Sequence, residues 1–138
     1  MFDETRKYKN WGHFFYEYGN SLSEVSKMVP DMPGVYYILR LARGKVTLVY
    51  IGKSGTILQS GKFRDQLLRG RINNKQGGLK RHEYFDMKIR EEKIDALDIY
   101  WFVTMDEGHN DLPGYVEGLL MQRYFEVHGK LPPWNKEY

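Results

Sequence analysis

Pro33-Gly34-Val35-Tyr36-Tyr37-Ile38-Leu39-Arg40-Leu41 and Val46-Thr47-Leu48-Val49-Tyr50-Ile51-Gly52, joined by Ala42-Arg43-Gly44-Lys45, form the stretch on which the fold turns. Both runs carry apolar residues at alternating and at intervening positions, so neither face is written for water. That pattern predicts a central antiparallel hairpin covered on both sides. A three-residue loop with Gly44 in the left-handed position would set Tyr36 directly opposite Tyr50, both pointing to one face.

Working outward, residues 1–32 read as helical. Trp11, Phe14, Phe15 and Tyr18 recur at helical spacing, and Ser21 with Glu24 has the spacing of a capping box ahead of Val25, Met28 and Val29. Downstream, the glycine- and serine-rich loop from Gly52 to Gly61 leads into a helix expected from Phe63 to about Lys75, with Phe63, Leu67, Leu68 and Ile72 inward. Residues 79–95 read as a short helix or an irregular excursion. Leu97 to Thr104 has strand character, and Asp111 can cap a final helix that carries Pro113 in its first turn and Val116, Leu120, Met121 and Tyr124 along it. The expected fold class is therefore α/β in the α+β sense. A small central three-stranded, largely antiparallel sheet is flanked by helices, with residues 1–32 a helical extension packed on a domain of residues 33–138.

A chain of 138 residues supports one core. It holds no cysteine, which removes disulfide scaffolds, zinc ribbons and thiol catalysis, and His13, His82, His109 and His128 lack metal-ligand spacing. Any metal would be held mainly by oxygen. No apolar run approaches the roughly 20 residues of a membrane span, and no signal-peptide pattern opens the chain, so a cytoplasmic protein with no membrane partner is expected. The net charge of +3 hides an asymmetry: Arg43 to Arg81 holds ten Lys and Arg against the single acid Asp65, leaving the rest of the chain net acidic. A basic block of that density suits a polyanion, although a solvated face carries charge equally well. Gly52-Lys53-Ser54 has the ending of a phosphate-binding loop, but its first glycine would fall at Thr47, inside a strand, which argues against ATP.

Gly34-Val35-Tyr36 and Tyr50-Ile51-Gly52 together resemble the signature of the GIY-YIG nucleases, with Val for the usual Ile in the first block. Leu68-Arg69-Gly70-Arg71-Ile72, with Lys75 four residues after Arg71, resembles the family helix that carries the catalytic arginine; Arg69 and Arg64 stay open for that role, because the loop from Ser54 to Lys62 is longer than in compact members. Glu117 resembles the family's metal-ligating glutamate, and Asn135 in Pro132-Pro133-Trp134-Asn135 its C-terminal asparagine. The likeness runs from Gly34 to Asn135 and makes residues 33–138 a nuclease-like domain.

The resemblance implies a metal-dependent endonuclease cutting phosphodiesters in DNA. Tyr36, Tyr50, Arg71, Lys75, Glu117 and Asn135 would be catalytic, one Mg²⁺ or Mn²⁺ would sit on Glu117, and a tyrosine would act as general base. Tyr36 is slightly favoured over Tyr50 for that task, and the cations of Arg71, Lys75 and Lys53 are expected to favour phenolate. Lys53, Lys62, Arg64, Arg69, Lys80 and Arg81 are the expected nucleic-acid contacts. DNA against RNA, sequence specificity and a homodimer are left open. The rival reading is a non-catalytic nucleic-acid-binding module using the same basic face, and a structural protein with solvated basic residues is a third.

Overall fold

The computed structural model describes residues 1–64 and 67–138. Its strands are β1 (Trp11–Tyr16), β2 (Gly34–Ala42), β3 (Lys45–Lys53), the short β4 (Lys75–Gln76) and β5 (Leu79–Lys80), and β6 (Ala96–Val103); its α-helices are α1 (Leu22–Val25), α2 (Leu68–Ile72), α3 (Arg81–Glu92) and α4 (Pro113–His128). Four strands form the main sheet in the order β1-β6-β2-β3, and every neighbouring pair in it is antiparallel. The sheet thus has one strand more than the three expected.

The hairpin of β2 and β3 forms, with a tighter turn than the loop expected. Arg43 (φ 52°) and Gly44 (φ 72°) are both left-handed, the signature of a two-residue turn whose twist matches the strands. Ala42 therefore pairs with Lys45, and this register holds to Leu39 against Leu48; beyond it the pairing jumps to Ile38 against Tyr50. The extra residue is a β-bulge, which turns Val49 and Tyr50 toward the same side of the sheet. In consequence Tyr36 faces Gly52, not Tyr50 as the longer loop would have it. The two tyrosines remain on one face as diagonal neighbours, ring centroids 6.0 Å apart.

Other expectations are corrected along the chain. The aromatic run from Trp11 is a strand, not a helix, with Trp11, His13 and Phe15 exposed at period two. Its spacing satisfied both templates; aromatic β-propensity and the free edge of β6 decided between them. Ser21 does begin α1, but makes no side-chain cap, and α1 is a single turn. The long helix expected from Phe63 shrinks to α2, since Phe63 forms an isolated bridge with Ile57 and Asn73 ends the helix; the part of that expectation on Asp65 and Gln66 lies outside the described residues. Lys75 leaves the helix altogether and pairs with Lys80 across a Gly77-Gly78 turn, so it does not share a helix face with Arg71. The 79–95 stretch resolves into the regular α3, stopped by left-handed Lys93. Asp111 does not cap α4; its carboxylate accepts from Tyr8 Oη at 2.7 Å and pairs with Lys7.

Each face of the sheet has its own core. On one face Tyr36, Ile38, Ile99 and Trp101 meet Leu68 and Ile72 of α2, Tyr84, Phe85 and Ile89 of α3, and Trp134. On the other, Val35, Tyr37, Leu39 and Ile51 meet Val116, Leu120 and Met121 of α4, along with Tyr8. Each fully buried side chain of this kind contributes about 1.5–3 kcal/mol. The C-terminal segment closes part of the β3 edge: Trp134 N–H donates to the Val49 carbonyl at 2.8 Å, and the Asn135 amide both accepts from and donates to the Ile51 backbone, each at 3.0 Å. No described helix is long and apolar enough to cross a membrane.

Candidate active site

The hairpin brings the tyrosine pair to the centre of one face, and Gly52 is what allows it. A Cβ at Gly52 would lie 2.6 Å from Cζ of Tyr36, so the ring can cross the neighbouring strand only over a glycine. Gly34, at the start of β2, likewise has no room for a side chain, because the Phe102 carbonyl and Leu68 fill the space. Ser54 fastens the two strand ends: its hydroxyl accepts from Gly34 N–H at 2.8 Å and its own N–H donates to the Gly34 carbonyl at 2.9 Å. These glycines follow from close packing; no loop freedom is involved.

Arg81, expected at the surface as a nucleic-acid contact, lies instead beneath the tyrosines at 2% exposure. It begins α3 on the helical spacing of Tyr84, Phe85 and Ile89, all buried, so its side chain enters the core with theirs. Nη2 donates to Tyr36 Oη at 3.1 Å and to the Arg71 carbonyl at 3.3 Å. The guanidinium carbon stands 5.7 Å from the Tyr36 ring centre and 5.6 Å from that of Tyr50. Nε and Nη1 are buried without a partner, and among the described residues no carboxylate reaches Arg81 within ion-pair distance. A buried cation at the first turn of a helix, facing the positive end of the dipole, works against stability.

Glu117, on α4, is half-buried, and burial pushes its carboxyl up to about 7 against the opposing pull of Lys53 and Arg71. Its negative charge is therefore only partly compensated by the cations beside it. Lys53 donates to the Gly55 carbonyl at 3.0 Å, and a groove of about 220 Å³ opens between the loop from Gly55 to Phe63 and the start of α4. Arg71 is half-buried with an unpartnered Nε, whereas Arg69 on the same short helix is exposed. Of the three arginines left open by the sequence, Arg71 is the one whose charge acts on Glu117. The hydroxyl of Tyr138 comes to the edge of this group, beside Gly118, and the charge of Glu117 helps to raise its pKa.

Tyr50 links the two halves of the constellation. Burial, then the neighbouring Tyr36, hold its phenol above the ordinary value; Arg81 pulls it down and Glu117 pushes it up. The expectation that Arg71, Lys75 and Lys53 would favour phenolate is thus corrected for Tyr50: desolvation wins, and the cation opposing it is Arg81. Tyr36 is 1% exposed, whereas Tyr50 is only partly buried. Asn135 braces the strand residue next to Tyr50 through the Ile51 backbone.

The structure therefore gathers Tyr36, Tyr50, Arg71, Glu117 and Lys53, braces them with Asn135, and adds Arg81. Lys75, Lys62, Arg64, Arg69 and Lys80 are exposed on the loop, the short helix and the small hairpin. Among the described residues no group of three or more His, Asp or Glu side chains is arranged to hold an ion, so a metal at this place would rest on the Glu117 carboxylate with water and substrate oxygens completing its shell. An undercompensated carboxylate fits such a hard cation. The chain matches no protein-family model, no curated protein and no solved structure.

Proposed function

We propose that the chain is a metal-dependent endonuclease of the GIY-YIG type that hydrolyses phosphodiester bonds, with DNA its substrate. The observation that carries this reading is Arg81: a buried guanidinium with two partnerless nitrogens, set under two phenols that share their site with a desolvated carboxylate. Such a group costs stability where it stands, and a function that uses positive charge beside a phenol accounts for it.

Hydrolysis adds water to phosphorus and expels the 3′ oxygen, so negative charge grows on the non-bridging oxygens and on the leaving group. Arg71 and Lys53, half-buried and flanking Glu117, meet the phosphate oxygens. Tyr50, the more accessible phenol, orients the attacking water and, as the phenolate formed when its own proton has left to solvent, takes that water's proton, while the departing 3′ oxygen is protonated from solvent. Burial keeps that phenol neutral at rest, and Arg81 lowers the cost of ionising it. Tyr36, covered and bonded to Arg81, holds both in place. Glu117 would hold a Mg²⁺ or Mn²⁺, which when bound supplies positive charge to the departing oxygen. The exposed Lys62, Arg69, Lys75 and Lys80 draw the polyanion in.

Incubation with supercoiled plasmid in Mg²⁺ or Mn²⁺, beside an EDTA control, tests the proposal. Nicking that needs the ion supports it. The binding-module reading predicts a gel shift with intact plasmid, unaffected by EDTA.

A further inference from the structure

β1 lies at the sheet edge opposite β3, and its open face is aromatic. Trp11 and Phe15 are each 51% exposed, with exposed His13 between them. In the pairing register Trp11 stands against Phe102 and His13 against Tyr100, which in turn stands against Tyr37 of β2. The ring planes run nearly parallel: Trp11 and Tyr100 differ by 7°, His13 and Tyr100 by 13° with centroids 4.6 Å apart, and Tyr37 and Tyr100 by 12°. α4 packs over β3 and β2 on this side, leaving the rings along β1 open to solvent. Between the N-terminal segment and the sheet a slot of about 240 Å³ is lined by Phe2, Tyr8, Trp11, Tyr37, Tyr100 and, at its rim, Arg6.

The arrangement discriminates among guests. A quaternary ammonium is held by rings that close round it on several sides, whereas Trp11, His13, Tyr37 and Tyr100 lie nearly parallel, with only Phe15 edge-on to His13 at 71° and Phe2 to Tyr37 at 70°. Asp98, on this face, is 7% exposed and engaged by His13 Nδ1 at 2.8 Å, and the exposed Asp3 pairs with Arg6 at 3.6 Å. Arg6 and exposed Lys9 lead directly into β1. Parallel rings beside cations suit a flat π-face joined to a negatively charged backbone.

We infer that this aromatic face is a second binding site, for the unpaired bases of a single-stranded nucleic acid. The rings of β1 stack on bases and Arg6 and Lys9 meet phosphates. A duplex keeps its bases in its own stack and offers this face only its backbone. The site lies on the face of the sheet opposite the tyrosine pair and does not depend on cleavage.

Trp11 makes the test direct, because Trp101 and Trp134 are 8% and 3% exposed and Trp11 alone among the three is open. The protein in EDTA is titrated with an oligothymidine and with a duplex of equal length, following tryptophan fluorescence. Saturable quenching by the single strand, and little by the duplex, is expected. In fluorescence anisotropy with a labelled oligothymidine, Trp11→Ala and Phe15→Ala are each expected to weaken binding about five- to a hundredfold, with unchanged circular dichroism. Equal quenching of Trp11 by duplex and single strand, or single-strand affinity untouched by both substitutions, overturns the proposal in favour of the general basic surface. Absence of binding together with a concentration-dependent dimer that Trp11→Ala dissolves overturns it in favour of a second copy covering the face. Glu117→Gln, which removes the proposed cleavage, leaves this binding intact, so the two readings fail separately.

Discussion

Replacing Arg81 by Met keeps an unbranched stem in the core and removes the charge. On the unfavourable side of Arg81 stand two buried, unpartnered nitrogens, each costing about 1–3 kcal/mol. A cation in the first turn of α3 adds a few tenths to about 1 kcal/mol. On the favourable side stand the hydrogen bonds to Tyr36 and Arg71, about 1.5–3 kcal/mol each for a charged donor, and contact with two aromatic faces. These nearly cancel. Because Arg81 is charged and meets no carboxylate among the described residues, its desolvation costs more than that of two neutral orphaned donors, so Arg81→Met should leave stability between unchanged and about 3 kcal/mol higher. At roughly 3 °C per kcal/mol for a chain of this size, the melting temperature rises by up to about 10 °C. Thermal unfolding followed by circular dichroism in EDTA reads this directly. Over the same substitution, nicking of plasmid should fall on the order of a hundred- to a thousandfold, as expected on losing a preorganised electrostatic partner. A variant that melts several degrees lower would show instead that Arg81 is part of what holds the core together.

Tyr50→Phe should cost about 1 kcal/mol in stability and a hundredfold to ten-thousandfold in cleavage, and should abolish the rise of rate with pH that an unionised phenol imposes; Tyr36→Phe should lower the rate less and keep that rise, as pH–rate profiles of both variants would report. Gly52→Ala drives a Cβ to 2.6 Å from Tyr36, so denaturant melts should show a loss of about 1–3 kcal/mol, with activity falling alongside as the tyrosine ring is displaced. Lys7 and Tyr8 hold Asp111 below the ordinary carboxylate value of 3.8; a depressed folded value means that its contribution is present at neutral pH and lost as the pH falls through that range. Wild type and Asp111→Asn should therefore differ in melting temperature at pH 7 and converge in acid.

The hairpin was legible because its apolar residues fill both alternating sets, and the last strand and helix because their patterns are long and unbroken. β1 was not: Trp11, Phe14, Phe15 and Tyr18 satisfy a helical template, and only the free edge of β6, 80 residues or more away in sequence, makes a strand of them. The tyrosine pair and Glu117 were singled out by the family resemblance, and the fold brings them together. Their exact meeting could not be read, because the two-residue turn and the bulge at Val49 shift the register in ways that composition leaves open. Arg81 was the largest miss. Read as one more cation in a basic block, it nonetheless shares helical spacing with Tyr84, Phe85 and Ile89, and an arginine on the apolar side of a helix was the available signal.

On the proposed function, this constellation cuts phosphodiesters with one ion held at Glu117. Wild type and Glu117→Gln, matched for folding by circular dichroism and for DNA affinity in EDTA, are mixed with supercoiled plasmid and Mg²⁺ or Mn²⁺ at pH 8, and nicked product is measured over time. The expected result is ion-dependent nicking by the wild type and none above background by Glu117→Gln, with equal DNA binding by both. Equal nicking by the two proteins, or nicking by the wild type that persists in EDTA, would contradict the claim.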